Sequence, residues 1–194
     1  ILNGEPVPFT TQLLFGFCDQ FVLKNIKKLL GLNNCRYALS GAAPISPELI
    51  DWYLSIGLDM REGWGMTETA GIGTAFYSRE IKKGCVGRAI DGSEVQIAQD
   101  GEILFRGPGV FCGYLNKPEQ TNETIIDGWL HTGDVGQLDN SGNLKITDRK
   151  KDIIITAGGK NISPSEIENE LKFSAFISDA VVIGDKRKFL SCLI

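Results

Sequence analysis

The sequence predicts a mixed α/β fold in three parts: an α/β layer to about residue 84, an antiparallel β-barrel-like unit over residues 85–148, and the start of a small α+β domain from residue 149. Three observations predict this order. Strand, loop, helix and strand patterns alternate in residues 35–65. Two hairpin patterns, EVQIAQDGEILFRG and GQLDNSGNLKITD, then fall within the second part. Finally, SPSE at residues 163–166 has the pattern of a helix capping box.

The first helix is predicted over residues 19–30, where four apolar side chains recur at helical spacing. Those four are Val22, Ile26, Leu29 and Leu30. Gly31 is expected to end this helix, because glycine readily adopts the left-handed backbone conformation found after helix C-termini. Residues 1–16 show no clear periodicity.

A strand, a helix and a second strand are then predicted to build the α/β layer. Residues 35–39 (CRYAL) have the composition of a short buried strand. Ser46 is the expected N-cap and Pro47 the expected first residue of a helix that runs to about Ile56. Residues 58–65 (LDMREGWG) are predicted to be a strand that enters a glycine-rich turn.

Turn signals predict the remaining elements. Asp100-Gly101 should join the strands of one hairpin, and DNSGN should turn the next. The run IIITAGGKNI predicts another strand with a glycine-rich turn, and Ser163 is the expected N-cap of a short helix. Residues 179–185 (DAVVIGD) are predicted to be a buried strand. The charged run at 148–152 is the predicted domain boundary.

Composition excludes several classes of partner. The chain has 20 basic and 24 acidic residues and a net charge of −4, so it offers no basic field for nucleic acid. It has no apolar run of about 20 residues, so no transmembrane segment is expected. Lys24, Lys27 and Lys28 suggest a peripheral membrane contact, but a solvated helix face is the simpler interpretation. Five scattered cysteines indicate reduced thiols in a cytoplasmic protein.

Four segments carry residues suited to ligand binding. The segment GWGMTET (63–69) offers glycine backbone, the Thr67 hydroxyl and the Glu68 carboxylate, which together suit a nucleotide phosphate with Mg²⁺. The alternative is that the segment is only a tight turn with a surface glutamate. The small residues of SGAAP leave room for a flat ring, or form only a strand-to-helix loop. Asp134 in GWLHTGD could accept hydrogen bonds from a ribose diol, or cap a local turn. Arg149 lies beside the predicted boundary, where a solvated linker charge is the simpler interpretation.

The order of five segments strengthens the binding interpretation. YALSGAAP, GWGMTET, GEILFRGPGVFCGYLNKPEQT, GWLHTGD and DRKKDIIITAGGKNISPSEIE follow one another along residues 20–194. Together they resemble the signature segments of the adenylate-forming superfamily, which includes acyl-CoA synthetases, aryl-CoA ligases, firefly luciferases and peptide-synthetase adenylation domains. FVLKNIKKLLGLNNCRYALSGAAPIS and ITAGGKNISP are most similar to the bacterial long-chain fatty-acid–CoA ligases.

The resemblance implies a nucleotide site. Asp134 would hold the ribose hydroxyls with help from Arg149, and Trp64, where the family usually has tyrosine, would be one wall of the adenine slot. Thr67 and Glu68 would be the catalytic residues, with Thr67 at the α-phosphate and Glu68 holding Mg²⁺. The whole implied nucleotide set is Gly41, Ala42, Ala43, Pro44, Gly63, Trp64, Gly65, Met66, Thr67, Asp134 and Arg149.

The resemblance also implies a hinge and a domain order. Lys151 would be the hinge, and Gly158 and Gly159 would lie near the CoA thiol. Residues 1–148 would form the C-terminal part of the large AMP-binding domain, and residues 149–194 the hinge and the first part of the small C-terminal domain.

The implied reaction joins a fatty acid to CoA through an acyl-adenylate and releases AMP and pyrophosphate from ATP, with Mg²⁺ as cofactor. The family's phosphate loop and C-terminal catalytic lysine are expected before residue 1 and after residue 194, so the chain is expected to be a fragment that is inactive alone. A fatty-acyl-AMP ligase, an aryl-CoA ligase and a non-catalytic nucleotide-binding protein are the alternatives.

Overall fold

The fold begins with a helical segment that is longer than predicted. The computed structural model describes residues 7–42, 45–77, 81–172, 174 and 176–194. Helix α1 spans Phe9–Cys18, a π-helical turn spans Asp19–Leu23, and helix α2 spans Lys24–Leu29. Gly31 follows with a φ of 74°, so the helix predicted over residues 19–30 is confirmed together with its end. The apolar residues of α1 are spread around the helix and none is buried, so no one-sided pattern marked it.

A small mixed sheet of order β1-β2-β3-β4 follows. Its strands are β1 (Ala38–Ser40), β2 (Met60–Trp64), β3 (Thr74–Ala75) and β4 (Arg88–Ala89). Strands β1 and β2 are parallel, and helix α3 (Pro47–Ser55) connects them, which confirms the predicted strand, helix and strand. No residue of β1 is buried, so the prediction that this strand is buried is wrong. The Ser46 hydroxyl accepts the Leu49 N–H at 3.2 Å, as expected of an N-cap. The first strand lies later than predicted, because pairing with β2 begins only at Ala38.

A five-stranded antiparallel sheet forms the second part of the fold. Its strands are β5 (Glu94–Ile97), β6 (Glu102–Arg106), β7 (Ile125–Ile126), β8 (Trp129–Leu138) and β9 (Leu144–Arg149), with helix α4 (Pro118–Thr124) before β7. Both predicted hairpins are present, β5 with β6 and β8 with β9. The long strand β8 pairs with β6 along one edge and with β7 and β9 along the other.

The expected barrel does not close. Within the described residues, no strand pairing joins β5 to β9, and the outer edge of β9 instead bonds at Leu144 to the backbone of Val86 and Gly87. Closure would need a ladder between β5 and β9, and hairpin patterns alone do not specify one. The second part is therefore an open antiparallel sheet, and the barrel-like expectation is corrected to that form.

The main core lies where the two sheets meet. Trp64 at the end of β2 packs against a cluster of fully buried residues on the five-stranded sheet, and its ring meets Phe105 edge-on at 6.0 Å between centroids. The other members of the cluster are Ile103, Leu130 and Leu144. Each such side chain contributes about 1.5–3 kcal/mol on burial. The core therefore fixes β2 and β8, the two strands that reach the site, relative to each other.

The last part holds two hairpins around one helix. Its elements are β10 (Ile154–Ile155), β11 (Asn161–Ile162), α5 (Pro164–Lys172), β12 (Val181–Ile183) and β13 (Ser191–Leu193). The Glu166 N–H donates to the Ser163 hydroxyl at 3.4 Å, in agreement with the predicted cap. Ser163 and Ser165 also donate to the Thr147 carbonyl and the Asp148 carboxylate, which ties α5 to β9. The strand predicted over residues 179–185 is present as β12, but only one of its faces is buried.

Candidate functional site

A cavity of about 400 Å³ lies between the small mixed sheet and strands β8 and β9. Its wall brings together residues that are far apart in the chain. The predicted site residues that line it are Gly41, Ala42, Gly63, Trp64, Gly65, Asp134 and Arg149. Ala43 and Pro44, predicted beside them, lie outside the described residues. All four candidate segments of the sequence therefore contribute to one cavity.

Asp134 is a buried carboxylate in this wall. It lies on the inward face of β8, where alternate residues are buried, and is 6% exposed. Its Oδ2 accepts the indole N–H of Trp64 at 2.7 Å. Its Oδ1 lies 3.2 Å from Nε of Arg149, because the β8–β9 ladder sets the two residues directly opposite each other. The Asp134 N–H donates to the Thr132 hydroxyl at 3.1 Å, which anchors the backbone.

This arrangement leaves Asp134 with acceptor capacity. An ionised carboxylate offers about four lone-pair sites on its two oxygens. Trp64 occupies one site on Oδ2 and Arg149 one on Oδ1. One site therefore stays available on each oxygen, and a pair of neighbouring hydroxyls is the type of ligand that can donate to both. The geometry suits a vicinal diol at the cavity wall.

Glycines set how closely the loops of the cavity approach one another. A Cβ on Gly41 would lie 2.7 Å from the carbonyl oxygen of Gly63, and one on Gly65 would lie 2.7 Å from Cα of Ile72. Both obstacles are backbone atoms that cannot move aside as a side chain would. Glycine at these positions is therefore required by loop packing, and it also leaves the cavity wall lined by backbone.

The chain turns away from the cavity after Gly65. A 3₁₀ turn spans Thr67–Thr69, Met66 packs against the main core, and Thr67 is exposed. Glu68 accepts the hydroxyl of Tyr114 at 2.7 Å, and this hydrogen bond raises the pKa of Tyr114. The predicted residues Met66, Thr67 and Glu68 are thus not part of the wall that holds Asp134 and Trp64.

Glu68 fits the role of a magnesium ligand by its chemistry. Mg²⁺ is commonly held by one or two carboxylates, with phosphate oxygens and water completing its octahedron. Carboxylates that bind metals are usually oriented by a hydrogen bond, and Tyr114 supplies one to Glu68. In the part of the chain that the structure describes, no group of three or more His, Cys, Asp or Glu is placed to hold a metal ion. A magnesium ion held by Glu68 would therefore need oxygen atoms of a bound phosphate as further ligands.

Glu62 is a site residue that the sequence predictions missed. It lies on β2, lines the cavity and is 7% exposed. Burial raises its pKa to about 7, although the backbone N–H groups of Ile45 and Gly84 oppose the rise. Its Oε2 has no hydrogen-bond partner among the described residues. Its position two residues before Trp64 was a signal, because alternate residues of a strand point to the same side.

The predicted hinge and CoA-proximal residues lie outside the cavity wall. Lys151 is exposed, and the preceding Lys150 is held by Glu102, whose Oε2 lies 3.1 Å from the ammonium. Gly158 and Gly159 are exposed in the turn between β10 and β11. These roles stay predictions.

The lysines of the first helical segment mostly make local contacts. Lys27 pairs with Asp19 at 3.1 Å, and Lys24 donates to Gln20 at 2.9 Å. Among the described residues, no helix combines the length and the apolarity needed to cross a bilayer. A peripheral membrane contact stays a prediction.

Two family profiles match the chain. The profile described as AMP-binding enzyme matches residues 11–115, and that described as AMP-binding enzyme C-terminal domain matches residues 151–194. Together they cover the cavity-lining loops of the small mixed sheet and the segment that begins after Lys150. The first profile alone spans more than half of the 194 residues.

Curated relatives and solved structures agree with these profiles. The chain is 44% identical over 176 residues to a long-chain-fatty-acid–CoA ligase, FadD15, of Mycobacterium bovis, a match covering 91% of this chain and 29% of the relative. It is 42% identical to the long-chain-fatty-acid–CoA ligase ACSBG2 of Xenopus laevis, a match covering 100% of this chain and 27% of the relative. A solved O-succinylbenzoate CoA synthetase of Bacillus subtilis, in complex with ATP and magnesium, matches with a TM-score of 0.73 and 33% identity. That match covers 81% of this chain and 35% of the solved chain. The chain thus spans about a third or less of these relatives.

Proposed function

We propose a function from one premise: this chain belongs to the AMP-binding enzyme family. It forms the ribose-binding and hinge portion of an ATP-dependent long-chain fatty-acid–CoA ligase. Relatives at 40–44% identity are named as ligases of this kind. Because the chain covers 29% of the first of them, the activity belongs to the full-length protein, meaning this chain with whatever its gene adds at either end.

The observation that carries the proposal is the cavity around Asp134. A buried carboxylate with one acceptor site left on each oxygen is suited to the 2′- and 3′-hydroxyls of a ribose. Arg149 and Trp64 orient that carboxylate from two sides. Gly41 and Ala42 line the cavity where the adenine would lie, with backbone and small side chains.

The phosphates of ATP would extend toward the segment after Gly65. Thr67 would contact the α-phosphate, and Glu68, oriented by Tyr114, would hold Mg²⁺. When bound, Mg²⁺ supplies positive charge that neutralises the phosphate oxygens. Met66 would support this segment through its packing against the main core.

The proposed reaction has two steps. A carboxylate oxygen of the fatty acid attacks the α-phosphorus, and the bond from that phosphorus to pyrophosphate breaks. The thiol sulfur of CoA then attacks the acyl carbonyl carbon, the bond to AMP breaks, and the thiol proton leaves to solvent. The protein contributes mainly by positioning, since the nucleotide is held while two different nucleophiles arrive.

The two steps use different nucleophiles, the fatty-acid carboxylate and then the CoA thiol. We therefore propose that the last part of the chain moves between the steps. We keep the predicted boundary, with residues 149–194 as the hinge and the first part of the small domain, and with the residues after Lys151 turning so that Gly158 and Gly159 approach the CoA thiol. Lys151 is exposed, and a rotation there would break the hydrogen bonds that tie Ser163 and Ser165 to β9. A cytoplasmic location is also proposed, with the five free thiols in agreement.

The test is AMP release by the full-length protein with ATP, Mg²⁺ and palmitate, in the presence and absence of CoA. We expect steady AMP release only when CoA is present. Release of pyrophosphate without discharge by CoA would replace the proposal with a fatty-acyl-AMP ligase. Activity only with aromatic acids would indicate an aryl-CoA ligase, and nucleotide binding without turnover would indicate a non-catalytic nucleotide-binding protein.

A further inference from the structure

We propose that Trp64 is a positioning residue that aims the Asp134 carboxylate, an inference that rests on the proposed function. The indole N–H donates to Oδ2 at 2.7 Å, the short distance expected when the acceptor is charged. Trp64 and Asp134 are 4% and 6% exposed, so this hydrogen bond is shielded from water. The indole therefore supplies a buried donor to the carboxylate.

Trp64 is the enclosed partner of Asp134, and Arg149 is the exposed one. A Cβ on Gly73 would lie 2.7 Å from Cζ3 of Trp64, which shows how tightly the ring is enclosed. Phe105 meets the same ring edge-on. In contrast, the side chain of Arg149 is 67% exposed, so water competes for its guanidinium and lowers its hold on Asp134. The orientation of the carboxylate therefore depends mainly on the indole.

This role differs from that of an aromatic wall for adenine. A wall contacts the base, so its loss would weaken every adenine nucleotide to a similar extent. A donor that aims Asp134 acts on the ribose hydroxyls, so its loss would weaken only nucleotides that carry them. The two roles can be separated by comparing ATP with 2′,3′-dideoxy-ATP, which has no hydroxyl for Asp134 to accept.

The experiment measures binding of both nucleotides to the full-length protein by calorimetry, for wild type and Trp64→Phe. We expect the substitution to weaken ATP binding about tenfold and dideoxy-ATP binding less than about twofold, because one hydrogen bond to a charged acceptor is lost. In a protein that already carries Asp134→Asn, adding Trp64→Phe should weaken ATP binding little further. Trp52→Phe is the matched control: it removes an exposed indole outside the cavity wall, and it should not change the ratio of the two affinities.

A second replacement covers the case in which Trp64→Phe does not fold. Benzothienylalanine at position 64 keeps the ring shape of tryptophan and replaces the N–H with sulfur, so the same loss of ATP preference is expected. If wild type prefers ATP and both replacements keep that preference, the positioning role is wrong while the proposed function stands. If wild type binds the two nucleotides equally, the ribose site itself is wrong, and this inference is overturned with it.

Discussion

Glu62 should make the stability of this protein depend on pH, and Glu62→Gln should remove that dependence. The carboxylate is 7% exposed, and its Oε2 has no partner among the described residues. Burial raises its pKa to about 7 from the ordinary value of 4.5, against the opposing backbone N–H groups of Ile45 and Gly84. The folded protein therefore resists ionisation of this group, whereas the unfolded chain does not.

The sign and size of the effect follow from these values. Since the folded-state pKa is raised, the stabilising contribution is fully present below pH 4.5 and is lost as the pH rises to about 7. A shift of this size corresponds to about 3 kcal/mol, and relaxation around the charge will lower it to about 2 kcal/mol. Glutamine keeps the shape and cannot ionise. The variant should therefore match wild type near pH 4.5 and be about 2 kcal/mol more stable at pH 8.

The assay is urea unfolding of the 194-residue chain, followed by circular dichroism from pH 4.5 to 8.5. The quantity to compare is the difference in the free energy of unfolding between Glu62→Gln and wild type at each pH. Glu123→Gln, at an exposed position on α4, is the matched control and should give a small difference that does not vary with pH. A constant difference for Glu62→Gln across the range would refute the reasoning, since it would mean that burial does not shift the carboxylate.

The remaining predictions concern Glu68, the proposed magnesium ligand. Chelation of Mg²⁺ should abolish adenylate formation by the full-length protein, measured as pyrophosphate release. Tyr114→Phe removes the hydrogen bond that orients Glu68, so it should raise the Mg²⁺ concentration for half-maximal ATP binding about tenfold. Affinity for AMP in the absence of metal should stay unchanged in this variant. An unaltered Mg²⁺ dependence would show that Tyr114 does not act through Glu68.

Local signals in the sequence predicted most elements of the fold. The Ser46 cap, the Gly31 stop and the two hairpins of the five-stranded sheet depend on short-range chemistry, and the structure has them where the sequence put them. The missing pairing between β5 and β9 is a long-range feature of that sheet, which turn residues do not encode. Helix α1 was missed because its apolar residues surround the helix without an amphipathic pattern.

The site was predicted in part, and the misses have a common cause. Asp134 and Arg149 belong to recognisable segments, and their cross-strand contact follows once β8 and β9 pair. The contact between Trp64 and Asp134 joins residues 70 positions apart, so no local pattern indicated it. Glu62 was missed because a glutamate in a strand usually faces solvent, although its place two residues before Trp64 indicated that it shares a side of the strand with that residue.

The central claim is that the cavity beside Asp134 holds the ribose of a nucleotide. The most direct measurement is the dissociation constant of AMP for the full-length protein, in wild type and in Asp134→Asn, which keeps the shape of the side chain but removes its charge. We predict binding at least about tenfold weaker in the variant, with an unchanged unfolding midpoint. Equal affinity in a folded Asp134→Asn variant would contradict the claim.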